Sequence, residues 1–400
     1  MIGSLAIGVA AGASLLALGG FALELQYRLR PGNKLNLMPG DWHLSVAEPD
    51  RYLLVGEMEF QNLTDRFEIM LPEVQAQVKL LSDGSLDGVT HKTKVIPCHK
   101  ETPARADDYW FGYIVKARKS TKLKVSVEIH GEDLAQLQSA WVQVNYVTYG
   151  PQGRIPKVRH VVVPLQFPTS DTTPKARNVG VGDVFPIRTH ILSPIDDPVE
   201  VVKRYALPYA QKGDVVTIGE TPVAIMQGRF RHPSEVKPGW VAKRVCLFFL
   251  PTSSLATACG MQALVDIVGP FRVLAAFTIG AIAKIFGKPG VFYQLAGEQA
   301  RLIDDVTGTL PPYDQFIVLG PENPQEVVDR IQRETGMASA IVDANDLKAV
   351  KILAATAGLS PAFLEQALKS NPAGNADERT PLVLIRPTAS KNLQKSVNQT

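Results

Sequence analysis

The chain has 400 residues, 45% of them hydrophobic and 20% charged, and a formal net charge of +3. That length supports two or three domains with separate cores. So small a charge excludes a basic nucleic-acid surface, and no RNA- or DNA-binding motif is present. The three cysteines, Cys98, Cys246 and Cys259, are far apart and odd in number, which excludes a disulfide framework or a CxxC metal site and points to buried thiols in a reducing compartment.

Residues Ile2 to Leu23 carry no charge and are almost all apolar or glycine. At about 1.5 Å per residue they match the roughly 30 Å hydrocarbon core of a bilayer. Nothing basic precedes the run and no small-x-small cleavage site follows, unlike a cleaved signal peptide. Arg28, Arg30 and Lys34 come after it and mark the cytoplasmic side. The expectation is a single-pass transmembrane anchor over residues 1–27, with the rest of the chain cytoplasmic. Gly8 and Gly12 form a GxxxG, which permits close helix pairing in a homodimer or with a membrane-protein partner.

Residues 35–167 alternate apolar and polar side chains. Val74 to Leu80 and Leu123 to His130 do so without a break, Leu54, Gly56, Met58 and Phe60 share one face, and Val142, Val144 and Tyr146 repeat the arrangement. One buried and one wet face mean antiparallel sheet. About seven such runs separated by turn residues predict a β-sandwich. His91, Cys98 and His99 lack metal-ligand spacing.

A Thr-, Ser- and Pro-containing linker, residues 168–183, leads into a region, 184–387, where helices alternate with strands, the pattern of an α/β domain; residues 388–400 read as a tail. Asp197-Pro198, Asn323-Pro324 and Ser360-Pro361 are expected to cap helices. The apolar stretch Ala263 to Gly287 is interrupted by Asp266, Arg272 and Lys284, so it is expected to form one or two buried helices rather than a span. The whole is an α+β multidomain chain.

Two polar loops border apolar runs. Asp343, Asn345 and Asp346 follow Ala340-Ile341-Val342, and Asn371 to Asp377 precede Leu382 to Ile385. The carboxyl ends of strands are where open α/β sheets place ligands, and such oxygen-rich loops suit a hard cation or a phosphate. Asp304-Asp305, beside Thr307 and Gly308, is a third candidate for Mg²⁺ or Mn²⁺. Arg229, after Gly228, has the forked guanidinium that suits oxyanions.

These motifs together resemble the gamma-glutamyl ligase family of coenzyme F420 biosynthesis. The likeness rests on Asp343-Ala344-Asn345-Asp346, Asn371-Pro372, Gly374, Thr380-Pro381 and the apolar run ending in Arg386. Upstream it rests on Phe185 to Thr189, Asp196-Asp197, Gly213 to Val216 and Gly228-Arg229. Thr221 and Gln227 stand where the family pattern carries a lysine and a glutamate. The resemblance implies a ligase that joins glutamate or a similar amino acid to an activated carboxylate with GTP and Mg²⁺ or Mn²⁺. It implies that Asp343, Asp346, Asp304 and Asp305 hold metal, that Arg229 and Arg188 meet the anionic substrate, and that Asn345, Asn371 and Asp377 orient the nucleotide or amine. The alternative is a catalytically degenerate ligase fold acting as a membrane-tethered binding or assembly module.

Overall fold

The structure is a computed structural model that describes residues 2–29, 34–107, 109–168, 174–305, 310–344, 348–374 and 378–388. It opens with helix α1, Ile2–Leu29. The side chains of residues 2–11, 13, 28 and 29 lie outside the described set. Among the described residues, no single helix is long and apolar enough to cross a membrane.

Nine strands follow: β1 (Leu35–Leu37), β2 (Asp41–Glu48), β3 (Arg51–Asn62), β4 (Ile69–Ser82), β5 (Thr90–Cys98), β6 (Tyr113–Val115), β7 (Ser120–His130), β8 (Leu137–Gly150) and β9 (Gly153–Pro164). They form two antiparallel sheets, β1-β3-β7-β5 with β2 paired to β3, and β6-β4-β8-β9. Leu54, Met58, Phe60, Leu123, Val125, Val127, Val142 and Val144 all face the shared core. Period-two alternation places them there, because successive side chains of a strand point to opposite faces. Phe60 sits between the sheets with its ring edge-on to Tyr146 at 5.1 Å. His99 is buried, stacked on Tyr113 at 3.8 Å and bonded to Thr121, so it belongs to the core. Of the thiols expected to be buried, Cys246 is, whereas Cys98 is exposed at the end of an edge strand.

The second half begins earlier than the linker reading placed it. Strands β10 (Arg177–Asn178) and β11 (Gly182–Ile187) already belong to its sheet. Next come α2 (Pro198–Tyr205), β12 (Val215–Gly219), α3 (Glu220–Met226), β13 (Phe230–Arg231), α4 (Trp240–Val245), α5 (Ala258–Val268), α6 (Pro270–Ile285), α7 (Val291–Ala296), α8 (Gln299–Leu302), β14 (Asp304–Asp305) and β15 (Ile317–Val318). The chain then forms α9 (Pro324–Thr335), β16 (Ala338–Ala344), β17 (Val350–Ala355), α10 (Pro361–Leu368) and β18 (Leu382–Pro387). The main sheet runs β10-β11-β18-β12-β16-β17 and a small one β13-β15-β14. Among the described residues only β12 and β16 pair in parallel, so the sheet is mixed rather than the parallel sheet of a simple α/β fold. Val216, Ile218, Leu382 and Leu384 face one side with α2 and α9, while Val215, Val383 and Ile385 face the other with α10.

Asp197 caps α2 as expected, its carboxylate accepting from the Val199 and Glu200 amides. Asn323 and Ser360 do not cap by their side chains, and there the N1 proline alone marks the helix start. Helices α5 and α6 are bent 112° apart. The expected buried helices are two: α5 is largely buried, through Met261, Ala263, Leu264 and Val265, whereas α6 is buried only on one side, through Val273 and Ala276.

The two halves share a core. Trp141 and Val162, on the outer face of the β8-β9 sheet, pack with Ile191, Ile225, Tyr313 and Phe316 of the second half. At its edge Trp141 Nε1 donates to His160 Nδ1 at 3.1 Å, and His160 stacks on His232 at 5.0 Å. Burial, with His232 and Arg159 nearby, pushes His160 down to about 3, so the seam carries neutral imidazole.

Candidate active site

In the register of the one parallel pair, Gly219 lies opposite Val342. The next residue along each strand is an acid, so Glu220 and Asp343 stand side by side at the carboxyl ends of adjacent strands. They open into a cleft of about 700 Å³, which Asp304, Asn371, Arg301 and Arg379 also line. Chain direction, not sequence proximity, brings these groups together.

The cleft is electrostatically tense. Burial first, then Asp343 and Asp304, pushes the Glu220 carboxyl up to about 9. Burial and Asp343 push Asp304 up to about 6, opposed by its hydrogen bond to Thr221. Asp343 is raised by burial and relieved in part by Lys351, its partner across β16 and β17. Like charges in a low-dielectric cleft raise one another in this way. Two polar atoms of lining residues are buried without a hydrogen-bond partner, Glu220 Oε2 and the Tyr313 hydroxyl. Unsatisfied buried groups of this kind call for an explanation in a bound group or in chemistry.

Cationic groups stand at the rim. Arg379 has a left-handed backbone, φ 51°, and its guanidinium pairs with Asp83 of the sandwich. Asp83 is lowered chiefly by that bond, which ties the sandwich to the wall of the cleft. Asn371 is also left-handed, φ 46°, a conformation that asparagine tolerates better than most side chains, and it starts the turn closed by the Gly374 amide at 2.9 Å.

Of the residues named from sequence, Asp343, Asp304 and Asn371 line this cleft, while Asn345, Asp346 and Asp377 lie outside the described residues. Three others are elsewhere. Asp305 is turned away from Asp304 because neighbours on a strand face opposite ways. Its carboxylate accepts from Thr257, whose side chain caps α5 through the Gly260 amide. Arg229 is held by the Gly320 carbonyl at 2.6 Å and Glu322 at 3.1 Å, and Gln227 grips the same turn at the Glu322 amide and carbonyl. Arg188 is an exposed residue outside the cleft lining. Among the described residues, no group of three His, Cys, Asp or Glu is gathered as a metal site.

Sequence reasoning missed Glu220, Arg301 and Arg379. Glu220 had one available signal, its place right after the strand Val215 to Gly219, the same position that drew attention to Asp343.

Residues 36–167 match the family described as F420-0:gamma-glutamyl ligase, N-terminal Ig-like domain. The sandwich is thus an Ig-like domain, and through it the chain is related to the gamma-glutamyl ligase of coenzyme F420 biosynthesis. The match covers about a third of the chain. No curated protein matches. Solved structures similar to the chain include the yeast GGA1 GAE domain, with 13% identity over 34% of this chain and 96% of that one and a TM-score of 0.20. A protein from Archaeoglobus fulgidus has 12% identity over 33% and 95%, at a TM-score of 0.18. The CupB6 tip adhesin from Pseudomonas aeruginosa has 13% identity over 38% and 58%, at a TM-score of 0.23. Scores this low decide nothing about the chain.

Arg386, which closes one of the ligase-like motifs, has a structural task. Its guanidinium holds the buried Asp214 at 2.8 Å and 3.1 Å and donates to the Tyr209 carbonyl, over the ring of Phe185. Arg386→Met is expected to lower stability by about 3 kcal/mol, because Asp214 is left buried without a counter-charge, with only the Gln211 amide to satisfy it. Urea unfolding of this variant and of Arg386→Met/Asp214→Asn checks it, with the double variant recovering much of the loss.

Proposed function

We propose that the chain is a membrane-tethered ligase of the gamma-glutamyl type, joining the amine of glutamate or a similar amino acid to an activated carboxylate with GTP and Mg²⁺ or Mn²⁺. The observation that carries this is the convergence of Glu220, Asp304 and Asp343 beside Arg301 and Arg379 in one cleft. The related Ig-like domain gives the convergence its chemical context.

The donor set fits a hard cation. Mg²⁺ is commonly held by one or two carboxylates plus substrate phosphates and water, so a cage of three protein ligands is not required. Asp343 and Asp304 are the ligands in this proposal, with Asp346 three residues after Asp343 in sequence. When bound, the ion neutralises phosphate charge and orients the transfer. The chain's own residues supply the remainder. Arg301 and Arg379 meet the carboxylate or acyl-phosphate oxygens by forked hydrogen bonds. Asn371, with Asn345 and Asp377, orients the nucleotide or the amine. An attacking ammonium must shed a proton, and with Asp343 and Asp304 on the ion the remaining cleft carboxyl, Glu220, is the group placed to take it once the cation favours its ionised form. The tether in this proposal is read from the sequence alone: the uncharged run Ile2 to Leu23, with Arg28, Arg30 and Lys34 after it placing the bulk of the chain in the cytoplasm.

Calorimetry of the full chain in detergent micelles, titrated with GTP with and without Mn²⁺, tests the reading. Micromolar binding that requires the metal is the expected result. No heat with any nucleotide removes the ligase.

A second reading, a degenerate ligase fold serving as a membrane-tethered binding or assembly module, is favoured by one observation. Arg229 and Gln227, on the stretch with ligase-like motifs, are both spent on the turn at Gly320 to Glu322 rather than on the cleft. It predicts a stable membrane partner in pull-downs and no nucleotide affinity.

A further inference from the structure

Helix α6 is apolar on both sides. Its inner side, Val273 and Ala276, is buried, while Phe271, Ile282 and Ile285, near-helical repeats on the other side, are exposed. A helix hydrophobic all round is normally enclosed. The turn after α4 extends the exposed surface, with Leu247 and Phe248 at 74% and 71% exposure and the Phe248 ring against Phe277 of α6 at 4.9 Å. Trp240, at the start of α4, is 66% exposed. Apolar patches of this kind on a folded chain mark an interaction site.

The charges around it identify what it meets. Between Val236 and Gly297 lie Lys237, Lys243, Arg244, Arg272, Lys284 and Lys288, all exposed, against a single acid, Asp266, which Arg231 already neutralises at 2.6 Å. We propose that the α4–α6 face lies on an anionic bilayer, with Trp240, Phe248, Phe271 and Ile285 in the headgroup and acyl boundary and the basic residues on acidic lipid phosphates. A tryptophan and phenylalanines on one side with lysines and arginines around them is the composition of an interfacial element. A second copy of the chain fits less well, because a two-fold interface would bring the same basic residues against one another. The face docks on the membrane and does not cross it: α5 and α6 are long and apolar enough only when taken together, bent by 112°, and their inner residues are committed to the protein core. The inference is independent of the ligase reading.

The full chain carries four tryptophans. Trp110 and Trp141 are buried and Trp42 is partly buried in the sandwich, leaving Trp240 as the exposed reporter. The chain is mixed with phosphatidylcholine vesicles with or without phosphatidylglycerol, the acyl chains brominated. The expected result is quenching of an emission component that is missing in Trp240→Phe. It should weaken at least ~10-fold in lipid affinity without phosphatidylglycerol or in Lys243→Glu/Arg244→Glu. All variants keep α1, so a loss of quenching is not a loss of that helix. Trp240 emission untouched by brominated lipid overturns the proposal, whether or not the chain floats with the vesicles. Trp240 shielded from iodide in a species of doubled mass, without lipid quenching, overturns it in favour of a second copy.

Discussion

Asp343→Ala is expected to abolish Mn²⁺-dependent GTP binding and any turnover that depends on it, with affinity falling at least ~100-fold, while the fold stays intact. Asp343 stands at the carboxyl end of the strand paired in parallel with β12, and its charge is felt by both other cleft acids. Its removal takes away one metal ligand of the proposed site and slackens the hold on the remaining carboxyls. Two measurements separate these effects. Calorimetry reads the ligand, and thermal melting reads the fold, which should be unchanged or stabilised by ~1 kcal/mol because a buried, repelled carboxylate has gone. Unaltered GTP binding in this variant would sink the assignment of Asp343.

Glu220→Gln tests the tension directly. Burial and its acidic neighbours raise this carboxyl from an ordinary 4.5 to about 9, so the folded chain holds the proton more tightly than the unfolded one. The stability this supplies is complete below about pH 4.5 and is lost progressively as the pH rises to about 9. Its size is on the order of a few kcal/mol. Glutamine keeps the shape and cannot ionise. In urea unfolding at pH 5 and pH 8.5, the variant is expected to gain on the parent chain at the higher pH. Parallel profiles would mean that Glu220 is solvated and ordinary. With Mn²⁺ and GTP present the parent should recover part of the difference, since a cation in the cleft stabilises the ionised form.

The Ig-like half was legible because alternation over many residues has one physical meaning. Leu123 to Ile129 can bury every second side chain only as a strand between a core and water, and that is where the structure puts them. Asp343 and Asn371 were legible for a related reason, since oxygen-rich loops at strand ends are recognisable without knowing the sheet. Glu220 was hidden by Gly219 and Pro222, which look like a turn, while Val223 to Met226, apolar and short, forms a helix whose start carries the acid into the cleft. Asp304 and Asp305 form one motif in sequence and point to opposite sides of a two-residue strand, which their identity alone cannot reveal. Arg229 and Arg188 have the chemistry for oxyanions, but only the fold shows that one is held by a neighbouring turn and the other stands outside the cleft. Arg301 and Arg379 sit in segments with no local pattern, and long-range packing alone selects them.

The seam of Trp141 and Val162 against Ile225, Tyr313 and Phe316 bears on how the chain is made. The Ig-like half leaves the ribosome first, and domains usually fold in that order. It does so with the outward face of Trp141, bonded at its edge to His160, uncovered until Phe316 has been synthesised. In that interval the growing chain presents a sticky patch and, through Asp83, an anchor for the still-missing Arg379. The early half is therefore both an aggregation hazard and a template on which the second half can assemble.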